Sequence, residues 1–432
     1  MTSKQTGPLR LGIAGLGTVG VGVVRIVRQQ AALLAARTGR DITISAVCAR
    51  SKGRDRGVSL DSYAWEDDPV ALATRDDVDL FVELMGGEDG PAKAATEAAI
   101  AAGKAVVTAN KAMLARHGQA LAEAAEAARV PLRYEAAVAG GIPVIKTLME
   151  GLAGNEITRI MGVMNGSCNY ILTRMESAGA SYQEIFAEAE GLGYLEADPQ
   201  LDVGGIDAAH KLALLSTLAF GTKVDFDSIA LEGIERVTIE DIRAAADMGY
   251  KIKLLGVTQM TGRGLEQRMQ PCLVPETSPL GQLEGGTNMV VLEGGAVGQI
   301  VLRGAGAGEG PTASAVMADV CDIARGITGP VFGQPAETLT SAKPAQSQLP
   351  APYYLRMALV DKPGALAKIA AVLGEAGVSI NRMRQYEHPD AAAPVLIVTH
   401  KTTEAALQSA LAAMDSTGVM AGAPVALRIE EL

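Results

Sequence analysis

The first apolar run of the chain ends in Gly15-Leu16-Gly17-Thr18-Val19-Gly20, and no other stretch restricts the fold as tightly. A GxGxxG string between a strand and a helix has a physical reading. Gly15 makes a tight turn, Gly17 lets the backbone approach a pyrophosphate, and Gly20 permits close helix packing. Thr18 and Val19 complete the loop, and the helix N-terminus behind it offers free N–H groups and a partial positive charge to phosphates. From residue 9 to 135, short apolar runs (RLGIAG, ITISAVCA, VDLFVEL, KAVVTA, VPLRYEA) alternate with alanine-rich amphipathic stretches. That alternation is the pattern of a parallel sheet covered by helices on both faces. Residues 1–135 therefore read as an α/β, doubly wound dinucleotide-binding domain of Rossmann type.

Beyond residue 135 the pattern changes to longer helices interleaved with strands such as TRIMGVM, KIKLLGVTQM and GQIVLRGAG. Residues 136–330 are expected to form an α+β substrate and dimerisation domain, with a last helix at 311–325 that packs back on the first domain. Residues 331–352 are proline-rich and aperiodic, as in an extended linker. Residues 353–432 give strand, helix, two strands, helix and strand, the βαββαβ ferredoxin-like order. Read as a separate module, this last segment is expected to be dispensable for catalysis, so that a chain ending near Pro350 stays active.

Composition excludes several classes of function. Apolar residues form 48% of the chain and charged residues 20%, which is enough to bury a large core. The net charge of -11 is spread without a basic stripe, so nucleic acid is not expected as a partner. No apolar segment reaches the roughly 18 residues of a membrane span, and no cleavable leader is recognisable, which points to a cytoplasmic protein without a membrane partner. Cys48, Cys168, Cys272 and Cys321 form no CxxC pair, and His117, His210, His388 and His400 show no metal-ligand spacing, so zinc chemistry is not expected.

Several positions carry chemistry. An NAD-preferring domain usually places an acidic residue at the end of its second strand, but here that strand ends Cys48-Ala49-Arg50. Arg50 can pair with a 2′-phosphate, which favours NADP with NAD admissible. Lys111 follows the fourth apolar run, at the sheet edge where ligands bind, although a lysine at a helix start is more often simply solvated. The densest polar cluster is GLGYLEADPQLDVGGIDAAHK at 191–211, with Glu196, Asp198, Asp202 and Asp207 close together. Asp207 and Lys211 stand four apart on a helix face, and an ordinary capping carboxylate in a surface ion pair would look the same. The helix continues LALLSTLAF, however, too apolar for a surface helix. A lysine at its buried mouth is expected to lose solvation and have its pKa lowered, as proton transfer requires. The neighbouring carboxylates suit a substrate bearing an ammonium group. Cys168 lacks a histidine placed by motif to activate it, so a thiol nucleophile is not expected.

At this point the residues resemble the homoserine dehydrogenases. AEGLGYLEADPQLDVGGIDAAHK is similar to that family's signature, and VELMGG, TANK, YEAAVAGGIP, NGSCNY and LRGAGAG are similar to its other blocks, in order, over residues 9 to 330. Residues 353–432, with Asp361-Lys362-Pro363-Gly364 after the first strand, resemble an ACT domain. The resemblance implies an oxidoreductase that interconverts aspartate 4-semialdehyde and homoserine, in the branch leading to threonine, methionine and isoleucine. It implies proton transfer by Lys211, with Asp207 as an alternative or tuning group, and substrate binding by Glu196, Asp207 and Asp202. It also implies cofactor contacts at Lys111, Gly193 and Gly308, and a sodium ion held by Glu135, Val138, Gly140 and Ile142. For the C-terminal segment it implies an amino-acid effector, with threonine favoured, near Gly364 and Asn381, in a homodimer or homotetramer. An aspartate-semialdehyde dehydrogenase would need a cysteine–histidine pair that the chain does not show. The alternative is an amino-acid-sensing regulator built on a degenerate dehydrogenase. It would be expected to have lost Gly15, Gly17 or Lys211, all of which are present.

Overall fold

In a computed structural model of the chain, residues 7–195, 198–345, 349–385 and 392–431 are described. They fall into two compact units, one made of 1–164, 207–229 and 287–342 and the other of 165–206, 230–286 and 343–432.

The first unit is built on a six-stranded parallel sheet of β1 (Leu9–Ala14), β2 (Ile42–Cys48), β3 (Ala64–Glu66), β4 (Leu80–Glu83), β5 (Ala105–Thr108) and β6 (Leu132–Arg133), in the order β3-β2-β1-β4-β5-β6. The order reverses between β1 and β4, and that switch point opens a crevice beyond the carboxyl ends of the strands. β1 is almost wholly buried because helices cover both faces of the sheet, which is why its sequence does not alternate. The helix Glu309–Arg325 adds Ala313, Val316 and Val320 to this core. It lies so close to the helix Thr18–Gln29 that a Cβ at Gly22 would stand 2.9 Å from Ala313. A second, antiparallel sheet in this unit pairs Thr287–Gly294 with Ile157–Val163 on one side and Gly298–Ala305 on the other.

In the second unit the antiparallel pair Tyr250–Thr261 and Gly264–Pro275 continues through Val425–Ile429, Tyr353–Val360, Ala392–Thr399 and Ile380–Gln385. The last four strands and the helices Ala365–Glu375 and Glu404–Met414 make up the βαββαβ segment, with its own core around Leu355, Met357, Ile369, Leu373 and Ile397.

The expected domain boundaries cut across these units, and residues 353–432 are not a module on a free tether. The strand Val425–Ile429 pairs in parallel with Gly264–Pro275 through Cys272–Arg428 and Leu273–Ile429. Four buried charges lock this seam. Arg268 donates to Glu266 at 2.9 Å and to Glu430 at 2.5 Å, and Arg428 donates to Glu430 at 2.8 Å. None of the four side chains is more than 7% exposed. The expected linker is also engaged over much of its length. Glu126 accepts from the backbone N–H of Val331 and Ala336, and Phe332 is 1% exposed. Apart from a single 3-10 turn at Ala336–Thr338 the described residues here are irregular, yet their backbone groups find partners.

A chain ending near Pro350 would leave Arg268 and Glu266 beside an open sheet edge. It is therefore expected to be unstable or aggregated rather than an active core. Removing one partner of a buried pair costs about 3–5 kcal/mol. Glu430→Gln should lower thermal stability on that scale, whereas Asp247→Asn, which breaks a surface pair with the half-exposed Arg384, should change it by less than about 1 kcal/mol. Circular-dichroism melts that show equal, small effects for both variants would refute the seam's importance.

Candidate active site and nucleotide cleft

The cleft beyond the carboxyl ends of β1, β2 and β4 has a volume of about 880 Å³ and is lined by Gly15, Gly17, Arg50, Ser51, Arg54, Arg56, Met85, Gly86 and Gly87, among others. Gly15 has φ +97°, and a Cβ there would meet Leu84 O at 2.3 Å. A Cβ at Gly20 would meet Gly15 O at 2.0 Å. Gly17 faces open space and heads the twelve-residue helix Thr18–Gln29, which has no side-chain cap, so its first N–H groups look into the cleft mouth. Thr18 and Val19 form that first turn.

Arg50 is exposed on the cleft wall, and the structure adds two arginines that sequence reasoning missed. Arg56 is anchored by hydrogen bonds to Leu16 O and Ser51 O, whereas the Arg54 side chain is exposed. A loop without regular periodicity carries both, and only their charge could have flagged them.

A further missed residue is Glu83, fully buried at the end of β4. Its carboxylate accepts from Thr108 Oγ1 at 2.6 Å and from the N–H groups of Met85 and Gly86, while burial pushes its pKa up. It thereby shapes the loop that walls the cleft and the turn into Lys111. Asn110 caps the helix Lys111–Ala128 through Met113 N–H and ties it to Gly87 O.

That turn delivers Lys111 to Asp207. The Asp207 carboxylate lies between two ammonium groups, with Lys111 Nζ 2.9 Å from Oδ1 and Lys211 Nζ 2.6 Å from Oδ2. Asp207 and Lys211 are 6% and 7% exposed, and Lys211 also donates to Met164 O at 2.7 Å. Burial opposes the charge on Asp207, but the two lysines outweigh it and hold the carboxyl well below the usual carboxylate range. Lys211 is thus not the merely desolvated lysine expected from the apolar helix, because a carboxylate and a carbonyl hold its ammonium. Next to it, burial pushes His210 down to about 4, against the pull of Asp207, and its ring packs on Phe226 at 4.5 Å. Gly308, at φ +118°, precedes the helix Glu309–Arg325 in the same unit.

Also in the first unit, Glu135 is 1% exposed and accepts from the N–H groups of Ile145 and Lys146 at 3.0 and 2.8 Å. Burial, reinforced by Asp319, pushes its pKa up to about 7. The chain then turns through Val138, Ala139 and Gly140, the last two left-handed at φ +55°, and Ile142 is buried.

In the second unit Asn165 caps the helix Gly166–Ala178 and donates to Asp202 Oδ1 at 2.8 Å. The Cys168 thiol donates to Asp202 O at 3.2 Å and is fully buried, so it is a packing residue. Gly193, at φ +74°, is exposed. Glu196 lies outside the described residues. In the C-terminal segment Gly364, at φ +86°, lines a cavity of about 260 Å³ together with Asp361, Lys362 and Gln385. Asn381 does not line it, and its side chain faces His400 Nδ1 at 3.4 Å. It is thus Gln385, farther along the same strand, that reaches the cavity.

Among the described residues no group of three His, Cys, Asp or Glu side chains could hold a metal ion, and no single helix is long and apolar enough to cross a membrane.

Comparison with known proteins identifies the same parts. Residues 15–135 match the homoserine dehydrogenase NAD-binding domain, 143–321 the homoserine dehydrogenase family, and 353–418 the ACT domain. The homoserine dehydrogenase of Neisseria gonorrhoeae is 42% identical over 98% of this chain and 99% of its own length. The crystal structure of one from Thiobacillus denitrificans superposes with a TM-score of 0.94 at 38% identity, covering 99% of this chain and all of that one. A hyperthermophilic archaeal homoserine dehydrogenase in complex with NADPH superposes at 0.63 with 25% identity, over 73% of this chain and 97% of that one. An oxidoreductase architecture with its nucleotide cleft, its buried lysine and a C-terminal ACT domain is in place, and the chain belongs to the homoserine dehydrogenase family.

Proposed function

We propose that the chain catalyses the reversible NADP-dependent reduction of aspartate 4-semialdehyde to homoserine, in the branch leading to threonine, methionine and isoleucine. The observation that carries this reading is Lys211 Nζ, held by Asp207 and Met164 O in a nearly water-free position. Nicotinamide, when bound, supplies or accepts the hydride at the substrate carbon. Lys211 gives its proton to the carbonyl oxygen as negative charge develops there, and takes it back in the oxidation direction. Both Asp207 oxygens are occupied by lysines, so Asp207 serves to fix Lys211 rather than to bind the substrate ammonium. That ammonium falls to Asp202 and Glu196. Lys111 completes the charge balance around Asp207 and contributes to cofactor binding. Gly193 and Gly308 supply backbone to the cofactor.

The cofactor fits the cleft, because Gly17 leaves open backbone where a pyrophosphate would lie and the second strand ends without a carboxylate. Three arginines on one wall favour a 2′-phosphate. A sodium ion fits as well. Glu135 and Asp319 are neighbouring buried carboxylates, and the left-handed turn after Val138 brings hard backbone oxygens of Val138, Gly140 and Ile142 into the same segment as Glu135. A homo-oligomer is supported by the unpaired edge strand Gly298–Ala305, which exposes Val301. The reading carries with it a cytoplasmic site of action.

Absorbance at 340 nm should show homoserine oxidation, and Lys211→Ala should reduce kcat by about 10²-fold or more with little change in nucleotide affinity. No turnover with either nucleotide would defeat the assignment.

Arg50→Asp should weaken NADP more than NAD by about 1–3 kcal/mol, the scale of a lost charge-assisted contact. Equal losses for the two nucleotides would remove Arg50 from phosphate recognition.

The cavity beside Gly364 offers backbone groups and the charged side chains of Asp361 and Lys362, which match a free amino acid. Threonine is the proposed effector, acting by unequal affinity for two states of the enzyme. It should inhibit the full chain, and Gly364→Val, which places a strained side chain in the cavity mouth, should abolish the response. Undiminished activity in millimolar threonine would overturn the regulatory part and leave the catalytic part standing.

A further inference from the structure

Lys253 is a buried cation to which the proposed mechanism gives no role. It lies on the strand Tyr250–Thr261, is 4% exposed, and has no carboxylate within ion-pair distance among the described residues. Glu176, an acidic neighbour on the helix Gly166–Ala178, is taken by Lys251, and Glu284 is exposed. Burial pushes the Lys253 ammonium down to about 8, so it still carries charge at neutral pH. An unpaired buried charge is costly and is tolerated only where hydrogen bonds offset its lost solvation.

Those protons bind two separate pieces of chain together. Lys253 Nζ donates to Asn169 Oδ1 at 3.0 Å and to Leu283 O. Asn169, 1% exposed, donates in turn to Gly285 O at 2.7 Å. The loop at 281–286 is thereby drawn against the first turns of the helix Gly166–Ala178. The approach is so close that a Cβ on Gly166 would stand 2.6 Å from Gly286 O. On the other side of that glycine, a Cβ on Gly286 would lie 3.4 Å from the Tyr194 ring. Tyr194 stacks on Tyr170 at 4.3 Å, and its carbonyl accepts from Ser167 Oγ at 2.6 Å. The same first turn carries Asn165, whose amide holds Asp202.

We infer that Lys253 is a positioning residue for substrate binding, its ammonium clamping the 281–286 loop to Asn169 and so setting the helix turn that presents Asp202. The inference rests on the proposed function, since it takes Asp202 as a ligand of the substrate's ammonium. The clamp and Asp202 belong to the second unit, and every residue lining the nucleotide cleft belongs to the first. The consequence is selective, because loss of the clamp reaches Asp202 and none of the residues that line the nucleotide cleft.

The test uses the full chain, with homoserine turnover by the unaltered protein as the control that separates this inference from the functional reading. Lys253→Met removes the charge and keeps the stem. It should raise the KM for homoserine about tenfold, while the KM for nucleotide and kcat stay within about twofold. Asn169→Asp keeps an acceptor for Lys253 but loses the donor to Gly285 O. It should raise the homoserine KM in the same way, and it serves alone if Lys253→Met does not fold. Lys253→Arg should restore part of the affinity lost in Lys253→Met. An unchanged homoserine KM in the folded variants, a parallel rise in nucleotide KM, or an effect confined to thermal stability would overturn the proposal.

Discussion

One carboxylate holds together the polar cluster of the first unit. Asp207 lies between the partly exposed Lys111 and the buried Lys211, and without it two ammonium groups would be brought together with no counter-charge between them. Like charges at such range repel by several kcal/mol even at an intermediate dielectric. The arrangement is tolerated because Asp207 stays ionised and offers one oxygen to each lysine. Geometry follows from this. Lys211 is fixed from its own helix four residues away, and Lys111 from a different helix, so the carboxylate is the joint between the sheet edge at β5 and the helix Ile206–Phe220.

A second buried carboxylate prepares that joint. Glu83 ends β4 with both oxygens turned to the chain itself, one to Thr108 at the end of β5 and one to the N–H groups that start the cleft loop. Thr108 Oγ1 then accepts from Asn110 N–H, and Asn110 caps the helix that begins at Lys111. Each hydrogen bond answers a backbone group that a strand-to-helix turn would otherwise leave unsatisfied. The position of Lys111 is thus a product of local turn chemistry at two adjacent strand ends, and the cleft wall and the lysine are set by the same side chain.

Much of this was legible in the sequence, and the parts that were not have a common cause. The parallel sheet, its glycine turn and the apolar helix behind Lys211 follow from periodicity and from glycine stereochemistry, which are local properties. The meeting of Lys111 with Asp207 is not local, and a lysine at a helix start looked ordinary for that reason. Glu83 reads as a strand-end charge until Thr108, from a different strand, is seen beside it. Arg54 and Arg56 sit on an irregular loop with no period to place them. The proline-rich stretch misled in the opposite direction. Proline and irregularity describe backbone conformation, and they say nothing about whether Phe332 is buried or whether Glu126 holds the N–H groups of Val331 and Ala336.

The same limit explains why the C-terminal segment looked detachable. A βαββαβ order implies a closed fold with its own core, which residues 353–419 do have. It does not reveal that the last strand has a second edge, and that this edge is satisfied by Gly264–Pro275. The buried Arg268–Glu430–Arg428 chain makes that pairing specific, since a slip in register would strand a charge in the core. Met269, on the same strand, packs where a Cβ of Gly205 would stand 3.3 Å away, and Gly205 at φ +80° is the residue that turns the chain into the helix of Asp207. The segment that carries Gly364 is therefore joined to that turn by hydrogen-bonded strands rather than by a flexible tether.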